Sequence, residues 1–282
     1  MPITTSEFDY VRDLVYRKSG IVLEPGKEYL VEARLTSVVR QEKLESIEAL
    51  VKRLRASSVD PLHVRVVEAM TTNETSFFRD IHPFEALKKV VIPELLEKRA
   101  ASKTLSIWCA AASTGQEPYT VAMCLLDAIP NIDQWRISFV ATDISSEMIA
   151  RCKAGRYNQI EINRGLPAML MVKYFSKQGL EWEISPKLRS MVDFREMNLT
   201  QPFVGLGQVD IVFMRNVLIY FDAATKKRIL ANTRQLLRPD GSLFLGSAET
   251  TMGLDENYQR VPIDKSSIYR PAAASGITAK AA

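Results

Sequence analysis

The sequence predicts an α/β fold with a mostly parallel sheet, preceded by an all-α N-terminal domain. From about residue 84, helical segments alternate with short apolar strands, a pattern typical of parallel sheets. The strand at 105–109 runs through a turn of small residues directly into a helix that opens at Gln116. Residues 1–70, in contrast, contain helical patterns only.

The N-terminal 70 residues are predicted to form four helices. Thr4 and Glu7 have the spacing of a capping box before a first helix that Gly20 ends. Further helices are predicted over about 27–41 and 46–56, and the fourth begins with Asp60 as its N-cap. Residues 71–83 then form a linker that we expect to line the active site.

Residues 84–270 are predicted to form the second domain. A helix over 84–100 precedes the sheet. The predicted strands are 105–109, 136–142, 208–214 and 242–246, and the predicted helices between them are 116–128, 145–154 and 223–237. Two short segments near 258–262 and 267–270 are expected to be antiparallel closing strands. Alternating pieces between 155 and 197 predict a small antiparallel β insertion, and the small, polar tail 271–282 is expected to be disordered.

The composition excludes several classes of protein. The formal charge of +4 gives little reason to expect a nucleic-acid partner. Neither a signal-peptide pattern nor an apolar run of about 20 residues is present, so we expect a cytoplasmic protein without membrane insertion. The three cysteines and two histidines lack the spacing of metal ligands, so no metal is expected.

The turn at 110–115 and the acid at the end of the next strand predict a nucleoside site. A second strand ends on Asp143, whose carboxylate can accept hydrogen bonds from ribose hydroxyls. Gly115 is the only glycine of the turn, which matches a dinucleotide fingerprint poorly. This mismatch favours S-adenosylmethionine, because that ligand has no pyrophosphate for a glycine-rich loop to bind.

Two further polar clusters point to the same edge of the sheet. The linker segment 71–80 combines amide, hydroxyl, aromatic and guanidinium groups, which suits a cleft wall. A helix end anchored by two phenylalanines explains this segment equally well. Arg215, Asn216 and Tyr220 follow the strand 208–214, and ligands of open α/β sheets bind beyond the carboxyl ends of strands. Asp222 is expected to cap the next helix.

The order of these motifs resembles that of the chemotaxis receptor methyltransferases, the CheR family. The matching segments are Gly20-Ile21-Val22-Leu23 with Lys27 and Arg34-Leu35, then 72–79, 113–119, 141–145, Asn198-Leu199 and 215–221. The resemblance covers about residues 5–270. It implies a class I methyltransferase (Rossmann-like) domain that uses S-adenosylmethionine, without a metal, and releases S-adenosylhomocysteine. The implied acceptors are glutamate side-chain carboxylates of chemoreceptors, methylated during bacterial chemotaxis adaptation.

The resemblance also implies residue roles and partners. Implied cofactor contacts are Asn73, Thr75, Arg79, Glu117, Asp143, Asn198, Leu199, Arg215 and Asn216. Residues 155–197 would be the family's β-subdomain, which in some members docks a receptor's C-terminal peptide. The N-terminal helices would face the cytoplasmic helices of transmembrane chemoreceptors. A monomer recruited to membrane receptor arrays, with a possible regulatory protein as a further partner, is therefore expected.

The chain departs from the family pattern at two places. It has Ala111-Ala112 where the family often has Gly-Cys, and Gln116 where the family has Glu. Because alanine adopts positive φ far less readily than glycine, we expect that position 111 does not require it.

The predicted chemistry needs no general base. A glutamate carboxylate, with a pKa of about 4.3, is already ionised at neutral pH and can attack the sulfonium methyl directly. Arg79 and Tyr220 are the candidate catalytic residues. Arg79 or Arg215 could hold a carboxylate, either that of the substrate or that of the methionine moiety, and Tyr220 could orient the attacking oxygen. Two alternatives stay open: an RNA or small-molecule methyltransferase on the same fold, and a non-catalytic nucleoside-sensing protein.

Overall fold

The structure, a computed structural model, describes residues 3–57 and 59–272. Most of the tail that the sequence predicts to be disordered, residues 273–282, lies outside the described residues. Within them, no helix combines the length and the apolarity that a membrane span requires.

The N-terminal part is a cluster of four helices with its own apolar core. The helices are α1 (Thr5–Ser19), α2 (Glu28–Gln41), α3 (Ile47–Ala56) and α4 (Leu62–Ala69). The capping box of Thr4 and Glu7 is formed, and Gly20 ends α1 with a φ of 75°. Asp60 accepts a hydrogen bond from the Leu62 backbone (2.9 Å), although α4 itself starts after Pro61.

The second part begins with helices and the first strands of the main sheet. A helical segment consists of α5 (His82–Ala86), a π-helical stretch (Leu87–Val91) and α6 (Ile92–Lys98). There follow β1 (Thr104–Ala110), α7 (Gln116–Ala128), a 3-10 turn (Ile132–Gln134), β2 (Arg136–Asp143) and α8 (Ser146–Ala154). The insertion comprises β3 (Arg156–Asn158), α9 (Gln159–Asn163), α10 (Ala168–Tyr174), β4 (Phe175–Gln178), β5 (Glu181–Ile184) and α11 (Pro186–Ser190).

The chain then completes the main sheet. The remaining elements are β6 (Asp193–Glu196), β7 (Val209–Met214), a 3-10 turn (Leu218–Tyr220), α12 (Ala223–Leu236), β8 (Leu237–Leu245), β9 (Tyr258–Ile263) and β10 (Ser266–Pro271). The strand order is β6-β2-β1-β7-β8-β10-β9. The first five strands are parallel and β10 runs antiparallel to both its neighbours, which confirms the predicted α/β class and closing strands.

This strand order determines where a ligand can bind. From β1 the chain proceeds outward through β2 to β6, and it then returns to β7 on the other side of β1. Adjacent connections therefore diverge between β1 and β7, and such a divergence opens a crevice at the carboxyl ends of the two strands. The turn after β1 and the cluster after β7 both lie at that crevice.

One part of the predicted insertion is wrong. Strands β3, β5 and β4 do form a small antiparallel sheet, but Asp193–Glu196 forms β6 and pairs in parallel with the end of β2. The alternation that suggested an insertion strand equally fits an edge strand, because Phe194 is buried whereas Asp193 and Arg195 are exposed. Alternation identifies a half-buried strand but not the sheet to which it belongs.

The helical domain packs against the carboxyl edge of the main sheet. Ile21 and Phe221 form an isolated antiparallel bridge, and the Val22 amide donates to the Tyr220 carbonyl (2.9 Å). The Tyr16 hydroxyl donates to Asp222 (2.6 Å), which also caps α12 as predicted. These contacts close one side of the crevice.

Candidate functional site

A cavity of about 900 Å³, its open mouth included, lies at the carboxyl ends of β1, β2 and β7. Residues of the helical domain, including Ser19, Ile21 and Met70, form part of its wall. The structure brings all the predicted site residues together around it: Asn73, Thr75, Arg79, Glu117, Asp143, Asn198, Leu199, Arg215, Asn216 and Tyr220.

The turn after β1 is more strained than the sequence indicated. Ala111 has a φ of 56° and Ser113 a φ of 51°, so the expectation that position 111 avoids positive φ was wrong. Two hydrogen bonds impose this path: the Ala112 amide donates to the Thr142 carbonyl (2.9 Å), and the Ser113 amide donates to Asp143 (2.8 Å). Left-handed backbone costs roughly 1–2 kcal/mol per non-glycine residue, and such strain concentrates at functional sites.

Asp143 lies buried at the end of β2, with 6% of its surface exposed. One carboxylate oxygen accepts from the Ser113 amide and the other from the Ser145 amide (3.0 Å). Ser145, not Asp143, is the N-cap of α8. Burial raises the pKa of Asp143, and the backbone amides of Ser145 and Ser113 oppose that shift. Each oxygen keeps a lone pair for a ligand hydroxyl, which fits a ribose.

Arg215 connects three segments of the site. Its side chain is 1% exposed; it forms ion pairs with Glu117 (2.6 Å) and Asp80 (2.9 Å), and it also donates to the Arg79 carbonyl (3.0 Å). Burial raises the pKa of Glu117, and the positive charge of Arg215 opposes that shift. The Nε of Arg215 is buried and lacks a hydrogen-bond partner among the described residues.

The linker serves both of the roles that the sequence left open. Phe77 is fully buried in the core, as an anchor would be. The Asn73 carbonyl accepts from the Ser113 hydroxyl (2.9 Å), and Arg34 of α2 donates to the Met70 carbonyl (2.6 Å) and to Thr72 (3.0 Å). The polar side of the linker is thereby fixed as a cavity wall.

Arg79 and Asn198 are held differently from Arg215. Arg79 is partly exposed and donates to the Glu74 carbonyl (3.0 Å). Asn198 donates to the Lys18 carbonyl (2.7 Å) and accepts from the Thr200 amide (2.9 Å). Because its amide already bonds the helical domain and its own loop, Asn198 fixes the wall between the two domains.

Several lining residues were not predicted as site residues. Ser113 lay within a recognised motif, and its positive φ and its bond to the linker become visible only in the structure. Apolar lining residues such as Ile144 and Met197 follow strand ends, which was the available signal. Glu249 does not itself line the cavity, but its carboxylate accepts from the backbone amides of the lining residues Asn216 and Val217 and from those of Leu218 and Gly246. It gave no signal because it lies far along the chain from the motifs.

The donor set fits an S-adenosyl ligand and offers no metal centre. Within the described residues, no three His, Cys, Asp or Glu side chains are grouped to hold a metal ion. Asp143 has acceptor capacity for ribose hydroxyls, Arg79 and Arg215 supply donors for a carboxylate, and Ile144 and Leu199 add apolar surface for a base. These are the groups that an amino-acid nucleoside requires.

Comparison with known proteins agrees with this geometry. Residues 6–71 match the family described as CheR methyltransferase, all-alpha domain, and residues 73–267 match CheR methyltransferase, SAM binding domain. "Chemotaxis protein methyltransferase Cher2" of Pseudomonas putida is 41% identical over 268 residues, which cover 94% of this chain and 97% of the relative.

Two further relatives are similar over nearly their whole length. "Chemotaxis protein methyltransferase 1" of Pseudomonas aeruginosa is 40% identical over 274 residues, with 96% of this chain and 99% of the relative covered. "Chemotaxis protein methyltransferase 1" of Vibrio cholerae is 37% identical, with 95% and 98% covered. The chain therefore belongs to the CheR methyltransferase family and is an S-adenosylmethionine-dependent methyltransferase.

Proposed function

We propose that this enzyme transfers the methyl group of S-adenosylmethionine to glutamate side-chain carboxylates of chemoreceptors, forming methyl esters during chemotaxis adaptation. One observation carries the proposal: a single cavity joins the buried Asp143, suited to a nucleoside, with the donors Arg79 and Tyr220. The names of the relatives, chemotaxis protein methyltransferases, support the choice of acceptor.

On the cofactor side, the proposed contacts come from Asn73, Thr75, Arg79, Glu117, Asp143, Asn198, Leu199, Arg215 and Asn216. When bound, S-adenosylmethionine supplies an electrophilic methyl group. Asp143 accepts hydrogen bonds from ribose hydroxyls, and the Arg215–Glu117 pair fixes the wall between α7 and β7. This arrangement favours transfer mainly by orientation and by exclusion of water.

On the acceptor side, the chain needs to position an anion and not to deprotonate it. A glutamate carboxylate is ionised at neutral pH. Arg79 can hold one carboxylate oxygen, and Tyr220 can orient the oxygen that attacks the methyl group. Neither histidine nor cysteine is among the described residues that line the cavity, and burial raises the pKa of the nearby Cys109 thiol far above its usual range.

The surfaces outside the cavity support a docking role. We assign the N-terminal helices to the receptor's cytoplasmic helix, because Ser19 and Ile21 reach the cavity from that domain. The part of residues 155–197 that precedes β6, residues 155–190, is proposed as the docking subdomain, since β3 and β4 each pair only with β5 in the described sheet. A free strand edge can bind an extended peptide. Such docking would recruit the monomeric enzyme to receptor arrays.

The test is a transfer assay with methyl-labelled S-adenosylmethionine and receptor-containing membranes, followed by mild base. Carboxyl methyl esters release labelled methanol, whereas methylated amines and nucleobases keep their label. We expect base-labile label with the native enzyme and with R260A, and its loss with R79A. Arg260 is the matched control, because it is an arginine on β9 that contacts Ser267. Base-stable label, or label in RNA, would contradict the proposal.

A further inference from the structure

Glu249 has an environment that the cavity chemistry does not explain. It lies in the loop after β8, and 8% of its surface is exposed. One carboxylate oxygen accepts from the amides of Asn216 (2.7 Å) and Gly246 (2.7 Å). The other accepts from the amides of Val217 (2.9 Å) and Leu218 (2.7 Å). A buried carboxylate thus binds the loops that follow two neighbouring strands.

The loop after β7 is shaped to receive this anion. Asn216 has a φ of 57°, and its amide and the next two all donate to Glu249. Successive backbone amides that converge in this way form an anion-binding nest. Here the anion is a side chain of the same protein, so the loop is fixed before any ligand binds.

Gly246 shows how closely the two loops approach. A Cβ at this position would lie 2.7 Å from the Asn216 side-chain amide, 2.8 Å from the Glu249 carboxylate and 2.9 Å from the Asn216 backbone nitrogen. Any other residue would push the loops apart. Close approach and charge-assisted hydrogen bonds therefore act together at this point.

The fixed loop carries groups that face the cavity. Asn216, Val217 and Tyr220 all line it, and Leu218 begins the 3-10 turn that contains Tyr220. We propose that Glu249 is a positioning residue for methyl transfer, which holds the Asn216–Tyr220 loop as a preformed wall of the S-adenosylmethionine site. The inference rests on the proposed contact between that cofactor and Asn216.

The sharpest test replaces Glu249 by glutamine. E249Q keeps the volume, but its NH₂ group faces two amide donors where an oxygen accepted, and the negative charge is lost. We expect at least a tenfold rise in the Kd for S-adenosylhomocysteine and in the KM for S-adenosylmethionine. In the ligand-free protein, hydrogen exchange of amides 216–218 should accelerate at least tenfold, while β7 and β8 stay protected.

E256Q is the matched control. Glu256 lies in the same loop, is exposed, and accepts from the Gly253 amide (2.9 Å) away from the cavity. We expect E256Q to leave the exchange, Kd and KM unchanged. A merely structural role for Glu249 would lower the melting temperature of E249Q but leave the KM of its folded fraction unchanged, and that result would overturn the proposal.

A second variant covers the case in which E249Q does not fold. E249D keeps the charge but is one methylene shorter, so its carboxylate cannot reach both loops at once. We expect it to fold and to bind S-adenosylhomocysteine at least threefold more weakly than the native protein; unchanged affinity would refute the positioning role. Binding and exchange need no methyl acceptor, so a wrong assignment of the receptor substrate would not affect either readout.

Discussion

Replacing Arg215 by methionine is the most informative single perturbation of the site. The Arg215 side chain is 1% exposed and neutralises Glu117, whose side chain is 14% exposed. R215M fills a similar volume with an apolar chain, but it leaves Glu117 buried without its cation. The second ionic partner, Asp80, is 47% exposed and can return to water.

The expected loss in the free energy of unfolding of R215M follows from the exposed fractions of Glu117 and Asp80. Removing one partner of a buried ion pair costs about 3–5 kcal/mol, and the residual exposure of Glu117 favours the lower end of that range, about 3 kcal/mol. The half-exposed pair with Asp80 adds no more than about 1 kcal/mol. For a chain of this size, 1 kcal/mol shifts the melting temperature by about 2–4 °C, so a total loss of about 3–4 kcal/mol should lower it by about 6–16 °C.

Urea unfolding of R215M, E117Q and the double variant measures this effect as a double-mutant cycle. E117Q removes the carboxylate charge that R215M leaves without a cation. The double variant should therefore be at least about 1 kcal/mol more stable than the sum of the two single losses predicts. D80N is the control, and we expect it to lose no more than about 1 kcal/mol. A loss below about 1 kcal/mol in R215M, or strict additivity, would refute the claim that this pair is buried and coupled.

The same variant has a defined pH dependence. Burial already raises the pKa of Glu117, and without Arg215 that pKa rises further, whereas in the unfolded chain it stays ordinary. The cost of burying the ionised group is therefore fully present above the raised folded-state pKa. It shrinks as the pH falls through that pKa towards the usual range of glutamate. The difference in stability between R215M and the native protein should thus be smaller at pH 5 than at pH 8.

Three further predictions concern the cavity and the turn after β1. Burial raises the pKa of Asp143, so its carboxylate becomes protonated at a pH above the usual aspartate range. Calorimetry should therefore show the affinity for S-adenosylhomocysteine decreasing as the pH falls through that region. D143N should bind this ligand at least about tenfold more weakly, with a flatter pH profile. Gly115 has a φ of 94°, and a Cβ there would lie 3.0 Å from the Tyr157 hydroxyl. G115A should therefore lose at least about 1 kcal/mol more of its free energy of unfolding than G26A, whose added Cβ meets nothing within 4 Å. Equal melting temperatures of the two variants would contradict this. Y220F should lower kcat in the transfer assay and leave the affinity for S-adenosylhomocysteine unchanged, and unaltered turnover would remove Tyr220 from the catalytic residues.

The sequence was sufficient to predict the fold because its signals are local. Alternation of helices and apolar strands, the capping box at Thr4 and the acid at the end of β2 each depend on a few adjacent residues. The parallel order then placed the carboxyl ends of β1, β2 and β7 together. Glu117, Asp143, Arg215, Asn216 and Tyr220 could therefore be assigned to one edge of the sheet from the strand ends alone, whereas the individual cofactor contacts, including those of Asn73, Thr75 and Arg79, came from the family resemblance.

The errors and omissions share a physical cause. The assignment of Asp193–Glu196 to the insertion failed because pairing partners are not encoded in the alternation of a single strand. The positive φ of Ala111 is imposed by hydrogen bonds of the two residues that follow it: the Ala112 amide donates to the Thr142 carbonyl and the Ser113 amide donates to Asp143. No property of alanine indicates this φ. Glu249 accepts hydrogen bonds from backbone amides, which all residues except proline possess, so the sequence does not indicate its partners.

The site also explains why this chain does not require a glycine-rich phosphate loop. In the turn after β1, the amide of Ser113 is directed to Asp143 and not to a ligand, so the turn shapes the acid that would bind the ribose. The ligand's charged end would instead meet arginines from the linker and from the end of β7, of which Arg215 is fixed by Glu117 and Asp80. Recognition would thus be divided between side chains from distant segments. The helical domain holds the cavity wall in place, because the Lys18 carbonyl accepts from Asn198 and the Val22 amide donates to the Tyr220 carbonyl. A cavity assembled in this way depends on both domains being in place, which links the first 70 residues to the shape of the cofactor cavity as well as to the acceptor docking proposed for them.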